Sequence, residues 1–314
     1  MHGPEIVSQT GATTPEDVNG VLNFLWLELT NRCNLQCIHC YTESGPHTGG
    51  GDILTAENYE DLMTEAHGLG CKKIQFIGGE PQLNPQFKRL LRFSTDVGFE
   101  FIEVFSNLTR LDDETLEITV ENGVHFATSV YSDDPAVHDR ITTVRGSHRR
   151  TIGNLRRLID RGVSARAAII SMDNDREATE RTGQFLLGLG ASLGGNRSSE
   201  VREFGRGQEV VGKSESMDRL CGHCWNGNLA IAPDGKAMPC VMARQWPVGN
   251  VLENSLGDIL NGDELRATRR QIYESAWMRA GSCEPFCMQS CGPDLSCPCN
   301  PLLCQQSCAP WDAQ

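Results

Sequence analysis

Leu27-Glu28-Leu29-Thr30-Asn31-Arg32-Cys33-Asn34-Leu35-Gln36-Cys37-Ile38-His39-Cys40-Tyr41 places three cysteines, spaced C-x3-C-x2-C, directly after an apolar run at 23–29. The run is rich in β-formers and reads as a buried strand, so the cysteines fall in the loop that leaves it. Three thiolates can hold three irons of a cubane and leave the fourth iron open to bind something else. A zinc knuckle is the alternative, with His39 as its fourth ligand.

Outward from this stretch, short β-prone runs alternate with helical-period segments six times. The strands are expected at 23–29, 73–77, 100–105, 124–130, 163–170 and about 199–204. Between them, Tyr59, Leu62, Met63 and Ala66 follow helical spacing, and Ile152, Leu155, Leu158 and Ile159 nearly do. Six βα units in series predict an α/β protein with a parallel sheet curled into an open, partial (β/α)6 barrel. Its ligands should gather at the C-terminal strand ends. After about residue 212 the pattern changes. Residues 228–241 read as a hairpin around Pro233-Asp234-Gly235, and 255–277 as one or two helices. The expected organisation is a polar tail at 1–20, a core at 21–212 and a small cysteine-rich domain at 213–314.

The chain of 314 residues carries 28 basic and 41 acidic side chains, a net charge of −13, which argues against a coat for nucleic acid or anionic membrane. No stretch approaches a membrane span, and the first twenty residues show neither a signal nor a transit peptide, so the expected address is the cytoplasm. There thiols stay reduced, and ten of the fourteen cysteines lie between Cys221 and Cys308, a density that points to metal ligation rather than disulfides. Proline follows many of them, as in Cys283-Glu-Pro and Cys308-Ala-Pro, so irregular loops wrapped around metal are expected beyond Cys283.

The cysteine loop after strand one, with Gly78-Gly79-Glu80-Pro81 after strand two, resembles the radical S-adenosylmethionine (SAM) superfamily. The resemblance implies a four-iron four-sulfur cluster on Cys33, Cys37 and Cys40 whose open iron binds SAM, with Gly78, Gly79, Glu80 and Pro81 touching the methionine moiety. Further contacts to SAM or substrate are implied at Ser106-Asn107, at Ser129 and in Tyr131 to Gly146, which includes Arg145. His138 and Asp139, taken singly, read as capping or turn residues. Gly205-Arg206-Gly207 also looks like the family, although a surface turn explains it nearly as well. Cys71 reads as a small buried residue.

The C-terminal cysteines are similar to the SPASM domain, the auxiliary-cluster module of many radical SAM enzymes. Cys224, ten residues, Gly235, four residues and Cys240 fit its opening, and Cys221 fits the same window. In the second block only the x5 gap between Cys291 and Cys297 agrees with the family. Transfer by order gives one cluster Cys221, Cys224, Cys240 and Cys299, and the other Cys287, Cys291, Cys297 and Cys308 or Cys304. Eight thiolates suffice for two fully ligated cubanes, so three clusters are expected in all.

The resemblance implies a maturase that modifies a ribosomally made peptide by hydrogen-atom abstraction, leaving a cross-link, thioether, double bond or epimer. The alternatives are a dehydrogenase or epimerase of a small metabolite, such as a sugar or amine, and a non-catalytic iron or zinc binding module. Implied partners are a precursor peptide and an electron donor such as flavodoxin or ferredoxin. Only about twenty residues precede strand one, so a peptide leader is expected to be held by a separate leader-binding protein or directly by the barrel and SPASM surfaces. Eight arginines between Arg140 and Arg166 form either a solvated helix face or a basic strip that receives an acidic peptide. The catalytic acid or base is not legible.

Overall fold

The computed structural model describes residues 15–173, 175–193 and 199–280. In chain order its elements are β1 Phe24–Glu28, α1 Ala56–Gly68, β2 Lys73–Ile77, α2 Phe87–Val97, β3 Phe101–Phe105, α3 Asp113–Glu121, β4 His125–Val130, α4 Pro135–Thr142 and α5 Ser147–Asp160. These are followed by β5 Ala165–Ser171, α6 Arg176–Gly188, β6 Ser192–Leu193, β7 Ser199–Glu200, α7 Gly207–Val211, β8 Asn228–Ile231, β9 Lys236–Met238, β10 Gly249–Asn250, α8 Leu256–Asn261 and α9 Asp263–Ala280.

Strands β1 to β5 pair in parallel in sequence order, each joined to the next by helix, and the sheet does not close on itself. The expected open α/β barrel is therefore present. Its sixth position differs from expectation: instead of a strand over 199–204, the two-residue β6 and β7 each pair with β5. From Val201 the chain turns toward Gly205, whose φ of +51° ends extended structure.

Alternation along the strands explains the two faces. Leu25 and Leu27, Ile74 and Phe76, and Ile102 and Val104 pack with α1 and α2 through Tyr59, Leu62, Met63, Ala66, Leu90 and Leu91. The other face carries Trp26, Glu28, Gln75, Ile77, Glu103 and Phe105, so the barrel interior is part aromatic and part polar. Such polar interior residues are costly unless paired, and they mark the site.

The hairpin expected at 228–241 forms as β8 and β9. Its position was not foreseeable from spacing: β8 pairs in parallel with β1, so the hairpin extends the barrel sheet. Leu229, Ile231, Ala237, Leu256 and Leu265 then share the barrel's outer core. Among the described residues no helix is long and apolar enough to cross a membrane.

Candidate functional site

The C-terminal strand ends converge on a cavity of about 270 Å³. The loop after β1 supplies Cys33, Cys37 and Cys40, the loop after β2 Gly78 and Gly79, the end of β3 Ser106 and Asn107, and β4 with its following loop Ser129 and Tyr131. Cys240, Val241 and Met242, just past β9, close the same cavity.

The cysteine loop is held at both ends. Cys33 N donates to Gly45 O at 3.0 Å and Ile38 N to Ile141 O at 3.0 Å. Arg206 braces the middle: its Nε donates to Cys37 O at 2.9 Å, its Nη2 to Ser44 O at 2.8 Å and its backbone N to Cys40 O at 3.1 Å. A Cβ on Gly205 would stand 2.6 Å from Cys40 O, so glycine permits this approach. Gly205-Arg206-Gly207 is thus part of the site, not a surface turn.

Gly79 serves a similar purpose. A Cβ there would lie 2.2 Å from Arg32 O, and Gly79 N donates to Thr30 O at 2.8 Å, which locks the second loop against the first. Glu80 and Pro81 do not line the cavity. The buried Glu80 carboxylate instead accepts from Ser106 Oγ at 2.8 Å and Asn107 N at 2.9 Å, fixing the end of β3. Burial raises its pKa, and these hydrogen bonds oppose the rise.

Arg145 is exposed and lies off the cavity. Asp139 accepts from Gly146 N, from Ser147 Oγ at 2.9 Å and from His148 N at 2.9 Å, and this clasp turns the α4–α5 connection outward. The local reading of Asp139 is therefore correct. That of His138 is not: it lies in the cavity wall, and its Nδ1 accepts from Tyr131 N at 3.4 Å. Arg166 does not belong to a surface strip. It lies in β5 on the inner face, bidentate to Glu103 at 2.7 Å through both Nε and Nη2, 5.5 Å from the centre of the Phe105 ring. Gln75 completes this cluster by donating to Glu103. Sequence signals for these partners are confined to strand parity, which puts Gln75, Glu103 and Arg166 on one face.

The sulfurs attract donors. Leu35 N lies 3.4 Å and Asn107 Nδ2 3.6 Å from Cys33 Sγ, and the Tyr131 hydroxyl is 3.9 Å from Cys37 Sγ. Burial pushes the Cys33 and Cys37 thiols up to about 12. Bare thiolates are thus disfavoured here, and a bound cation would reverse that preference. In the C-terminal segment Cys224 Sγ lies 3.9 Å from Cys221 Sγ and 2.7 Å from Cys240 Sγ; none of the three is disulfide-bonded. Among the described residues no three His, Cys, Asp or Glu side chains are grouped to hold a single metal ion. Cys287, Cys291, Cys297, Cys299, Cys304 and Cys308 lie outside the described residues, as does Cys283.

Residues 27–183 match the family model of the radical SAM superfamily. The chain belongs to that superfamily. Residues 221–292 match a second model, the SPASM iron-sulfur cluster-binding domain, which gives this radical SAM protein the auxiliary module expected from its cysteines. It is 25% identical over 267 residues to the antilisterial bacteriocin subtilosin biosynthesis protein AlbA of Bacillus subtilis, covering 74% of this chain and 58% of that protein. With the sporulation killing factor maturation protein SkfB of the same organism it shares 27% identity over 265 residues, 74% of this chain and 63% of the relative. The chain thus spans only about three-fifths of these relatives. In fold it is similar to Streptococcus suis SuiB bound to precursor peptide SuiA, with a TM-score of 0.67 and 14% identity over 92% of this chain and 77% of that one.

The residues present fit the family's cofactors. Soft thiols with N–H and O–H donors aimed at their sulfurs are the donor set of a four-iron four-sulfur cluster. Gly78 and Gly79 line the same cavity and bring no side chain into it.

Proposed function

We propose that this chain is a radical SAM/SPASM maturase that modifies a ribosomally made peptide. In this reading residues 21–212 are the radical SAM core and 213–314 the auxiliary module, working in the cytoplasm. Cys33, Cys37 and Cys40 hold the SAM-binding cluster, and Gly78, Gly79, Asn107 and Ser129 lie along SAM. Cys221, Cys224 and Cys240 join Cys299 at one auxiliary cluster; Cys287, Cys291, Cys297 and either Cys304 or Cys308 form the other. When bound, SAM and its cluster supply a carbon-centred radical that takes a hydrogen atom from substrate.

The supporting observation is that Cys240 and the cysteines of the first loop line one cavity. A substrate radical that closes a ring or double bond must lose one more electron, which requires a redox site within reach of the same cavity. Glu103 neutralises Arg166 in the cavity wall, and Phe24, Trp26 and Ile77 give the remainder an apolar surface that excludes water. The tyrosine and histidine side chains that line it, Tyr41, Tyr131, His39 and His138, are held uncharged by burial, so they orient ligands as neutral hydrogen-bonding groups. AlbA and SkfB, whose names concern bacteriocin biosynthesis and killing-factor maturation, support a peptide as substrate.

The test is anaerobic incubation of reconstituted protein with SAM, reductant and any short peptide found encoded next to its gene. Mass spectrometry should find 5′-deoxyadenosine and a peptide lacking two hydrogens, or one carrying solvent deuterium if the product is an epimer. Turnover of a free sugar or amine but of no peptide would overturn the reading.

A further inference from the structure

Five rings form a continuous file from the cysteine loop to the outer helices. His39 stands edge-on to Tyr131 with centroids 4.9 Å apart, and Tyr131 tilts against His138 at 5.1 Å. His138 meets His148 edge-on at 5.3 Å, and His148 stacks on Phe185 of α6 at 6.1 Å. The inner end is the cysteine loop itself, because the Tyr131 hydroxyl lies 3.9 Å from Cys37 Sγ. At the outer end His148 occupies the first turn of α5, and Arg149 and Arg150 follow it directly.

A group of exposed arginines lies around that outer end. Arg166 is absorbed by Glu103, and Arg157 by Asp113 and Leu111 O. Arg140, Arg145, Arg149, Arg150, Arg156 and Arg161 are exposed, and none has an acidic partner among the described residues. Arg149 and Arg150 lie beside Gly146, which Arg145 precedes in the chain: a Cβ there would be 3.4 Å from Arg150 Nη1 and 3.9 Å from Arg149 Nη2. Asp139, within this group, already holds Gly146, Ser147 and His148. Residues 133–161 thus hold seven arginines against four aspartates in a chain whose net charge is −13. Like charges held close together repel, and an acidic partner relieves that repulsion.

We propose that this face docks an acidic one-electron carrier protein, and that the ring file is the path of its electron to the group held by Cys33, Cys37 and Cys40. The proposal rests on the reading above, in which those cysteines hold a redox cluster. One electron leaves the carrier, which is oxidised by one, and the cysteine-held group is reduced by one; no bond forms or breaks and no proton moves. The rings are not themselves oxidised. Tunnelling falls off faster through gaps than through bonded and packed atoms, and two ring contacts, His148 to His138 and His138 to Tyr131, followed by the Tyr131 hydroxyl against Cys37 Sγ, join His148 to Cys37. An acidic leader peptide would gain from any basic surface, whereas only an electron donor gains from one at the end of a packed file that stops at a cluster ligand. Exposed charges also suit a carrier that must arrive and leave quickly, since they act mainly on encounter rate.

The test uses reconstituted protein with flavodoxin as the probe. Reversing Arg149→Glu and Arg150→Glu together should weaken binding of oxidised flavodoxin by about tenfold at low salt, with the difference closing as ionic strength rises. In stopped flow, His148→Ala should slow bleaching of the iron-sulfur absorbance by reduced flavodoxin several-fold, with flavodoxin affinity unchanged, and His148→Phe should restore the rate. Dithionite, which needs no docking, gives the reference rate. Unchanged flavodoxin affinity in the reversed pair would overturn the proposal. So would equal slowing of dithionite and flavodoxin in His148→Ala, or loss of leader-peptide binding with flavodoxin affinity intact. Wild-type protein that takes up no iron would instead defeat the reading of the cysteines.

Discussion

Arg244, four residues beyond Cys240, reaches across to the carboxylate of Glu28 at the end of β1 and forms an ion pair with it inside the protein. Glu28 is fully buried, and burial holds its pKa above the ordinary carboxyl range although Arg244 pulls it down. The pair is a tie between the strand that launches the first cysteine loop and the segment that carries Cys240. Its Oε1 has no partner, so Arg244 is the main support of that charge.

Removing one partner of such a pair costs more than removing both, because the charge left behind stays desolvated. Arg244→Met should therefore lower stability by about 3 kcal/mol. Adding Glu28→Gln to it should recover much of the loss. Urea melts of the single and double variants check this; equal losses would show that the pair carries no coupling.

Cys33, Cys37 and Cys40 have the spacing and the cavity position for a three-thiolate site. Replacing all three with alanine should abolish 5′-deoxyadenosine formation and remove about four of roughly twelve irons per chain, the content of one cubane out of three. Iron analysis and product chromatography read the two effects separately. Loss of all iron would contradict independent auxiliary clusters.

The cysteine loop, the glycine pair and the hairpin were legible because each is a local pattern: a fixed spacing, a strand end, a turn between two β-prone runs. What tied them together was not. Glu28–Arg244 spans two domains of the expected organisation, and Arg206 reaches back to Cys37 and Ser44 across more than 160 positions, with only two flanking glycines to mark it. Arg166 shows the opposite failure. In sequence it continues a run of arginines, but strand parity turns it inward while the helical ones stay outside. His138 was undervalued because a histidine near a helix start resembles a cap, and only the folding of α4 onto the cavity distinguishes the two.

Gly79 contacts Arg32 so closely that no side chain fits. Gly79→Ala would put a Cβ 2.2 Å from a backbone oxygen, which cannot rotate away, so the two loops must part. The expected cost is about 1–3 kcal/mol of stability, as for other overpacked sites, together with weakened SAM binding. Equilibrium dialysis against labelled SAM measures the second effect. Gly153→Ala, which meets nothing within 4 Å on a helix, is the matched control and should bind SAM as wild type does.

His138 gives the fold a pH dependence whose sign is fixed by its surroundings. Burial, reinforced by His148 and opposed by Asp139, brings its imidazole down to about 4. An unfolded histidine titrates near its ordinary value of about 6.5, so on acidification the unfolded chain takes up the proton first. The contribution is therefore fully present above about pH 6.5 and is lost as pH falls toward 4, for a total of roughly 3 kcal/mol. Near pH 5 about 2 kcal/mol of it should be gone. His148, also lowered by burial, adds a loss of the same sign. His138→Phe keeps the ring in the wall but cannot titrate, so its unfolding free energy should fall less steeply between pH 7.5 and pH 5 than that of wild type. Comparing the two proteins at matched iron content isolates the imidazole. Parallel pH profiles would mean that His138 meets water freely enough to titrate normally, and it would then not belong to the closed wall of the cavity.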